Sequence, residues 1–354
     1  MWLLTNETPF AAERTWVRDE NGAEIWIVAV KGSFVIEDNG RQTLHSRQPE
    51  ALRVPVFRGA PDKSSLLSEC DLLHKKTGTD VLVEGDAIPP SGKMATTVDV
   101  RLKVANIDKT LRIYGDRFIT TGALGLILST PEPFTRMPIL YERTFGGTDQ
   151  SDESPKRHRW EPRNPVGVGF ATRPHHLDGS FAPNIEYPDY PYQSWEKGRP
   201  AGLGPVARHW MPRVKFAGTY DDNWDQTRKP LLPSDFDPRF YQCAPEDQQA
   251  DGFLRGGDRV EIYNMTPEGY LSFLLPRVTF NLTTHFYDGS EMHHNAVLHT
   301  VTLLPNQRCF QMVWQSQLPC HHKVNKLEAT EVTLKRRLHV PSEEVETGVW
   351  VGQS

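Results

Sequence analysis

One uninterrupted run of β-branched and aromatic residues, EIWIVAVKGSFVI at 24–36, constrains the fold of this chain more than any other stretch. Runs of this kind are typical of a strand that is buried on both faces, because neither side of the strand carries regularly spaced polar residues. The sequence therefore predicts a β scaffold in which residues 24–36 form an interior strand.

Several other segments near the two ends of the chain also predict strands. Half-buried strands alternate between apolar and polar residues, and MATTVDVRLKV (94–104) does so. Its expected inward face consists of Met94, Thr96, Val98, Val100, Leu102 and Val104. Further strands are predicted at 79–87, 257–265, 270–276 and 277–284. Residues 326–340 fit a short helix and a strand equally well.

A hairpin is predicted close to the C-terminal end. The segments NAVLHTVTLLP (295–305) and RCFQMVWQS (308–316) are separated by an Asn-Gln turn. In the second segment Phe310, Met312 and Trp314 share one face, since alternate residues of a strand point the same way.

The middle of the chain has a different character. Half of the 28 prolines lie between Pro155 and Pro245, together with four of the nine tryptophans. Flexible linkers are rich in glycine and serine, whereas this segment is rich in aromatic residues, so an ordered coil packed on the β scaffold is expected. The predicted fold is mainly β with few short helices. It divides into a β-rich half at 1–145, an ordered connecting segment at 146–250 and a second β-rich half at 251–354. The alternative is that the halves form one integrated domain.

The composition excludes several functional classes. The net charge of -5 lacks the positive excess that nucleic-acid binding requires. No apolar run approaches the roughly 20 residues needed to cross a bilayer, and MWLLTNETPF lacks the basic and apolar pattern of a secretory signal. We therefore expect a cytoplasmic protein that binds no nucleic acid and does not insert into membranes.

The cysteines and histidines offer a weak case for a metal. No pair among the four cysteines has CxxC spacing, which favours free thiols. Three His-His pairs occur, at 175–176, 293–294 and 321–322. Adjacent strand residues point to opposite faces, so such a pair seldom binds one ion. Cys320 with His322, joined by Cys309, is an alternative that the spacing leaves open, but polar surface histidines and no bound cofactor are favoured.

A cluster of aspartates raises the question of an enzyme. The segment AGTYDDNWDQTRKPLLPSDFDPRFY (217–241) contains Asp221, Asp222, Asp225 and Asp235. Paired carboxylates serve glycosidases and metal sites, so a carboxylate- or metal-dependent hydrolase is the alternative function. Aspartate also caps helices and fixes turns. The cluster lacks the hinge glycine and closing glutamate of a Ca²⁺ loop, and the chain lacks GxSxG, P-loop and HExxH motifs. We therefore favour turn-fixing aspartates with arginine partners and predict no catalytic residues.

The same region combines arginine with aromatic residues beside proline. Arg, Trp and Tyr dominate the energetics of protein interfaces, and they also stack in protein cores. We predict that this region forms part of a partner-binding face. The predicted contact residues are Arg208, Trp210, Arg213, Tyr220, Trp224, Phe236, Arg239 and Phe240.

A series of motifs in a fixed order suggests a family. The motifs are KGSF, KKTGTDVLVEGDAIPPSG, YERTFGGTD, NPVGVGF, GLGPVARHWMPR, AGTYDDNW, LLPSDFDPRFYQCAPEDQ, LRGGDRVEIYNMTPEG and SFLLP. Across roughly residues 1–316 the chain resembles a bacterial domain-of-unknown-function family that is encoded beside the VgrG spike and PAAR proteins of type VI secretion systems.

The resemblance implies a function without implying a catalytic site. Members of the family are thought to be adaptors or chaperones that bind a toxic effector, or its PAAR-containing region, in the cytoplasm. They are thought to help load it onto the VgrG spike. The expected partners are therefore an effector or PAAR-containing protein and, in addition, VgrG itself. No catalytic residues are carried over by the resemblance.

Overall fold

The computed structural model describes residues 2–122, 125–320 and 324–335, and the protein is mainly β. The strands of the first part are β1 (Leu3–Asn6), β2 (Ala11–Arg18), β3 (Glu24–Ile36), β4 (Gln42–Leu44), β5 (Val56–Phe57), β6 (Leu66–Ser68), β7 (Asp80–Val83), β8 (Asp86–Ala87), β9 (Thr97–Val104), β10 (Ile107–Tyr114), β11 (Ile119–Gly122) and β12 (Gly125–Leu128). The later strands are β13 (Met137–Pro138), β14 (Phe145–Gly146), β15 (Thr148–Asp149), β16 (Arg159–Trp160), β17 (Val168–Gly169), β18 (Ile185–Glu186), β19 (Arg259–Tyr263), β20 (Tyr270–Leu274), β21 (Phe280–Phe286), β22 (Glu291–His294), β23 (Val297–Leu304), β24 (Cys309–Pro319) and β25 (Leu327–Leu334).

Within the described residues, helical structure is limited to short turns. The α-helix α1 spans Asp222–Thr227. Single 3-10 turns lie at Pro90–Gly92, Tyr141–Arg143, Pro155–Arg157, Pro174–Leu177, Arg213–Ala217, Pro238–Tyr241, Glu246–Gln248, Pro305–Gln307 and Val324–Lys326. The prediction of a mainly β fold with few short helices is confirmed.

The largest sheet is organised around β3. Its strand order is β2-β3-β24-β23-β7, and β4 adds to the end of β3. β3 pairs antiparallel with β24 along eleven positions, from Val35 opposite Cys309 to Ile25 opposite Pro319. The predicted hairpin of β23 and β24 is also present in this sheet. The bounds of β3 coincide with the predicted run 24–36, because local β propensity and burial favour the same residues there.

Both faces of β3 are covered, as the sequence predicts. On one face Trp26, Val28, Val30, Phe34 and Ile36 belong to the main core. The other face forms a smaller apolar cluster, whose members include Ile25, Ile27, Ala29, Leu72 and Val313. A strand with two covered faces can remain apolar throughout, which explains the absence of alternation in 24–36.

Two further sheets pack against this core. The five-stranded sheet has the order β18-β10-β9-β19-β20, and the four-stranded sheet has the order β1-β25-β21-β22. From β24, Phe310 stacks on Phe273 of the five-stranded sheet at 4.8 Å, and Trp314 meets Phe280 of the four-stranded sheet at 5.2 Å. The predicted common face of Phe310, Met312 and Trp314 is therefore confirmed, and it joins all three sheets.

Strand β9 shows the expected alternation only within its own bounds. Val98, Val100, Leu102 and Val104 are buried, with more exposed residues between them. Met94 and Thr96 lie before the strand and are exposed, so their predicted place on the inward face is wrong. Residues 327–334 of the ambiguous segment 326–340 form a strand, and residues 336–340 lie outside the described residues.

Each large sheet combines strands from distant parts of the chain. β3 pairs with β24, and β9 pairs with β19. Neither end of the chain therefore completes a sheet without the other.

The central coil is ordered by close backbone packing between two of the sequence motifs. Asn164, in NPVGVGF, is buried and donates from its side-chain amide to Tyr141 O, Thr144 Oγ1 and Phe145 O in YERTFGG, at 2.8 to 3.0 Å. Gly146 has a φ of 152°, and a Cβ there would lie 2.1 Å from Asn164 O. Only glycine fits such an approach, so these motif residues specify packing of the coil.

Candidate partner-binding surface

Residues 213–241 form a layer of short turns around aromatic side chains. The segment includes the 3-10 turns at Arg213–Ala217 and Pro238–Tyr241, which contact each other, and α1 between them. Tyr220 packs on Trp224 at 4.7 Å, and Phe236 packs on Phe240 at 5.8 Å. The aromatic residues therefore stabilise a segment that has few ladder hydrogen bonds.

The aspartates of this segment fix its turns. Asp221 caps α1 by accepting a hydrogen bond from Trp224 N at 2.8 Å. Asp225 forms an ion pair with Lys229 at 2.7 Å. Asp235 accepts from Thr219 N at 2.9 Å and from Thr219 Oγ1 at 2.7 Å, and the backbone bond is the main cause of its lowered pKa.

Asp222 occupies the first turn of α1, where a negative charge complements the helix dipole. Asp221, Asp225 and Asp235 thus each have a local structural contact, as the turn-fixing interpretation predicts. Their partners are a backbone group, Lys229 and Thr219, whereas the predicted pairing with arginine is found at Asp237, which binds Arg239. The described residues contain no group of three or more His, Cys, Asp or Glu side chains that could hold a metal ion.

The alternative metal site of Cys309, Cys320 and His322 is limited by the distance between the two cysteines. Cys309 starts β24, whereas Cys320 follows its last residue, which separates them by roughly 36 Å at about 3.3 Å per strand residue. One ion cannot bind both, so the alternative in which Cys309 joins Cys320 is excluded. His322 lies outside the described residues. The four cysteines are free.

Three of the predicted contact residues instead anchor the segment to the scaffold. Trp210 is 1% exposed and packs edge-on against Tyr141 at 5.5 Å. Arg213 is 3% exposed and Arg208 is half-buried, and both pair with Glu69, at 2.9 and 2.8 Å. Trp210 and Arg213 therefore cannot contact a partner while the segment keeps this packing.

Glu69 is ionised at neutral pH despite its burial. Burial alone would raise the pKa of this carboxyl, but the Arg208 hydrogen bond and the charges of Arg213 and Arg208 outweigh it and lower the pKa. Arg213 also donates to Val206 O and to Phe240 O, at 2.6 Å and at 3.0 to 3.1 Å. A single glutamate thereby connects the coil segment with the N-terminal part of the chain.

The remaining predicted contact residues reach the surface. Tyr220 is 55% exposed, Arg239 is exposed, and Trp224, Phe236 and Phe240 are half-buried. Sequence reasoning missed Phe216, whose ring lies 4.3 Å from the Arg239 guanidinium carbon and 4.9 Å from Lys215 Nζ. Its position between the motifs ARHWMPR and AGTYDDNW is the sequence feature that could have identified it as a surface aromatic residue. We call the following group the aromatic surface: Phe216, Tyr220, Trp224, Phe236, Arg239 and Phe240.

The aromatic surface has the chemistry of an interface hot spot. Arg239 is held by Asp237, which accepts from Arg239 Nε at 2.8 Å, so the guanidinium is fixed over the Phe216 ring. Cation–π pairs of this kind and rigid aromatic residues lose little entropy on binding. The arrangement can therefore bind a protein partner through apolar and cationic contacts.

A second concentration of ionisable groups lies deeper, behind the segment. Lys76 and Asp80 form a buried ion pair at 2.6 Å, with Thr300 and Cys243 around them. The cavity that Lys76, Cys243 and Thr300 help to line has a volume of about 30 Å³. Such a space accommodates about one water molecule, so this cluster has a structural role.

A half-buried histidine, His294, predicts a loss of stability in acid. His294 bonds to Thr284 Oγ1 at 2.8 Å and to Ser316 Oγ, and burial, with a small contribution from His293, lowers its pKa to about 4. The folded protein therefore holds this ring neutral, while the unfolded chain protonates it below about pH 6.5. The contribution of neutral His294 to the free energy of unfolding is therefore fully present above pH 6.5. It is lost as the pH falls towards 4, by as much as about 3 kcal/mol.

Urea unfolding across this pH range measures the effect. We expect His294→Gln to flatten the acid side of the profile, and a matched change at the exposed His175 to leave it unaltered. Profiles of equal slope for wild type and His294→Gln would contradict the assignment.

Comparison with known proteins gives one match. Residues 21–315 match the model of a family described as "Uncharacterized protein conserved in bacteria (DUF2169)". Neither a curated protein nor a solved structure matches the chain. Within the described residues, no helix has the length and apolar character needed to cross a membrane. Because the match covers most of the chain, this protein belongs to the bacterial DUF2169 family.

Proposed function

We propose that the protein is an adaptor or chaperone of a type VI secretion system. In this role it binds an effector, or the PAAR-containing region of an effector, in the cytoplasm and helps load it onto the VgrG spike. The proposal starts from the resemblance of the motif series, and the match over 21–315 covers nearly all of those motifs.

The observation that carries the proposal is the aromatic surface on a rigidly anchored coil. An adaptor needs a pre-organised surface, because every side chain ordered on binding reduces the affinity. Here Glu69, Arg208 and Arg213 anchor the segment, and Tyr220 and Arg239 present aromatic and cationic groups to solvent. Aromatic residues and arginine are enriched where interfaces gain most of their binding energy.

Affinity purification from the native bacterium tests the function. We expect the tagged protein to recover an effector or a PAAR-containing protein, with or without VgrG, in near-stoichiometric amounts. Recovery of the protein alone, while the secretion genes are expressed, would overturn the proposal.

A pair of variants tests the surface. Tyr220→Ala combined with Arg239→Ala is expected to reduce partner recovery about thirtyfold, because it removes two contacts worth roughly 1 kcal/mol each. Tyr287→Ala is the matched control, since Tyr287 is 59% exposed and Tyr220 is 55% exposed. Quantitative mass spectrometry compares the amount of partner recovered by the wild type, the double variant and Tyr287→Ala at equal amounts of tagged protein. Undiminished recovery by the double variant would exclude this surface as the binding face.

A further inference from the structure

A groove beside the edge of the five-stranded sheet has three arginines among its lining residues. It lies between the turn at 39–42 and the outer strand β20 with its continuation to residue 277, and its volume is about 370 Å³. That volume is in the range of ligand-sized pockets. Arg41, Arg259 and Arg277 line it, and none of its lining residues in the described part of the chain is acidic.

Two of these arginines have no acidic partner. Arg259 donates to Ser272 Oγ at 3.2 Å, and Arg277 donates from Nε to Gly256 O at 3.4 Å. Neither forms an ion pair with a residue that the structure describes. This contrasts with Arg101 and Arg112 on the same sheet, which form bidentate pairs with Asp108 and Asp99.

The backbone holds Arg277 in position. Gly257 has a φ of 84°, and a Cβ at this residue would lie 2.6 Å from both Nε and Nη2 of Arg277. The guanidinium therefore lies directly against the Gly257 backbone, where any other residue would displace it. Arg277 is exposed and lines the groove, so its guanidinium is accessible there.

We propose that this groove binds an acidic, extended segment of a partner protein. A guanidinium recognises a carboxylate through two parallel hydrogen bonds, and the two guanidiniums of Arg259 and Arg277 along one groove suit a segment with several carboxylates. The apolar side chains of Leu274 and Pro276, which also line the groove, suit the stems of glutamate residues. The inference concerns a surface separate from the aromatic surface and does not depend on the secretion role.

Fluorescence anisotropy with labelled hexaglutamate tests the groove on the full chain at low ionic strength. We expect saturable binding by the wild type and binding about tenfold weaker by Arg259→Gln combined with Arg277→Gln, because two charge-assisted contacts are lost. The charge-matched control is Arg101→Gln combined with Arg112→Gln, which should bind like the wild type.

A second variant isolates the positioning of Arg277. Gly257→Ala keeps all three arginines but removes the space beside the guanidinium, so we expect it to weaken hexaglutamate binding as well, with its folding checked by circular dichroism. Absence of saturable binding, an equal loss in the control pair, or tighter binding of an oligothymidylate of equal charge would each overturn the proposal.

Discussion

Replacing Asp80 with asparagine is expected to lower the free energy of unfolding by about 3–5 kcal/mol. The side chains of Lys76 and Asp80 are 1% and 0% exposed, and their ion pair measures 2.6 Å. Burial alone would lower the pKa of Lys76, but the Asp80 charge and hydrogen bond, together with Cys243, outweigh burial and raise it. The variant would leave the lysine charge buried without its counter-ion, which is the costly way to break such a pair.

Asp80 also supports the coil segment directly. It accepts hydrogen bonds from Gln242 Nε2 at 3.0 Å and from Cys243 N at 2.8 Å. An asparagine can accept at only one side-chain oxygen, so part of this connection is lost as well.

Urea unfolding followed by tryptophan fluorescence measures the change. The control is Asp225→Asn, which removes an exposed ion pair with Lys229 and should cost no more than about 0.5 kcal/mol. Adding Lys76→Met to Asp80→Asn should restore part of the stability, since the unpaired charge is then absent. If Asp80→Asn cost no more than Asp225→Asn, the buried pair would not have the role assigned to it.

The second large effect is expected at Arg213. Arg213→Ala should lower the free energy of unfolding by about 3–5 kcal/mol, because Glu69 loses a buried counter-ion and two carbonyl groups lose their donor. Arg208→Ala removes the other partner of Glu69, but the Arg208 side chain is 39% exposed. Water can replace it there, so a loss of about 1 kcal/mol is expected.

Limited proteolysis separates a local effect from a global one. We expect cleavage within residues 213–241 of Arg213→Ala under conditions in which wild type and Arg208→Ala remain intact. Equal stability of the two arginine variants would show that burial does not determine the strength of the Glu69 contacts.

The strands of the scaffold could be predicted from the sequence, whereas the exposed residues of the candidate site could not. The strand at Glu24–Ile36 and the hairpin of β23 and β24 were predictable, because burial imposes a period of two, or a continuous apolar run, on the residues of a strand. In the coil, Trp210 and Trp224 occur in similar motifs, yet one is buried and the other is half-buried. Without a period, a sequence contains no signal for which aromatic residue faces the interior.

The amino-acid sequence by itself therefore determined the β class, the main strands, the ordered middle segment and the turn-fixing use of aspartate. All of these depend on neighbouring residues along the chain. Only the tertiary structure decided that β3 pairs with β24 and that Glu69 meets Arg208 and Arg213. The same holds for Gly257, whose backbone lies against Arg277. Contacts between residues far apart in sequence arise from packing of the whole core, and local propensity does not specify them.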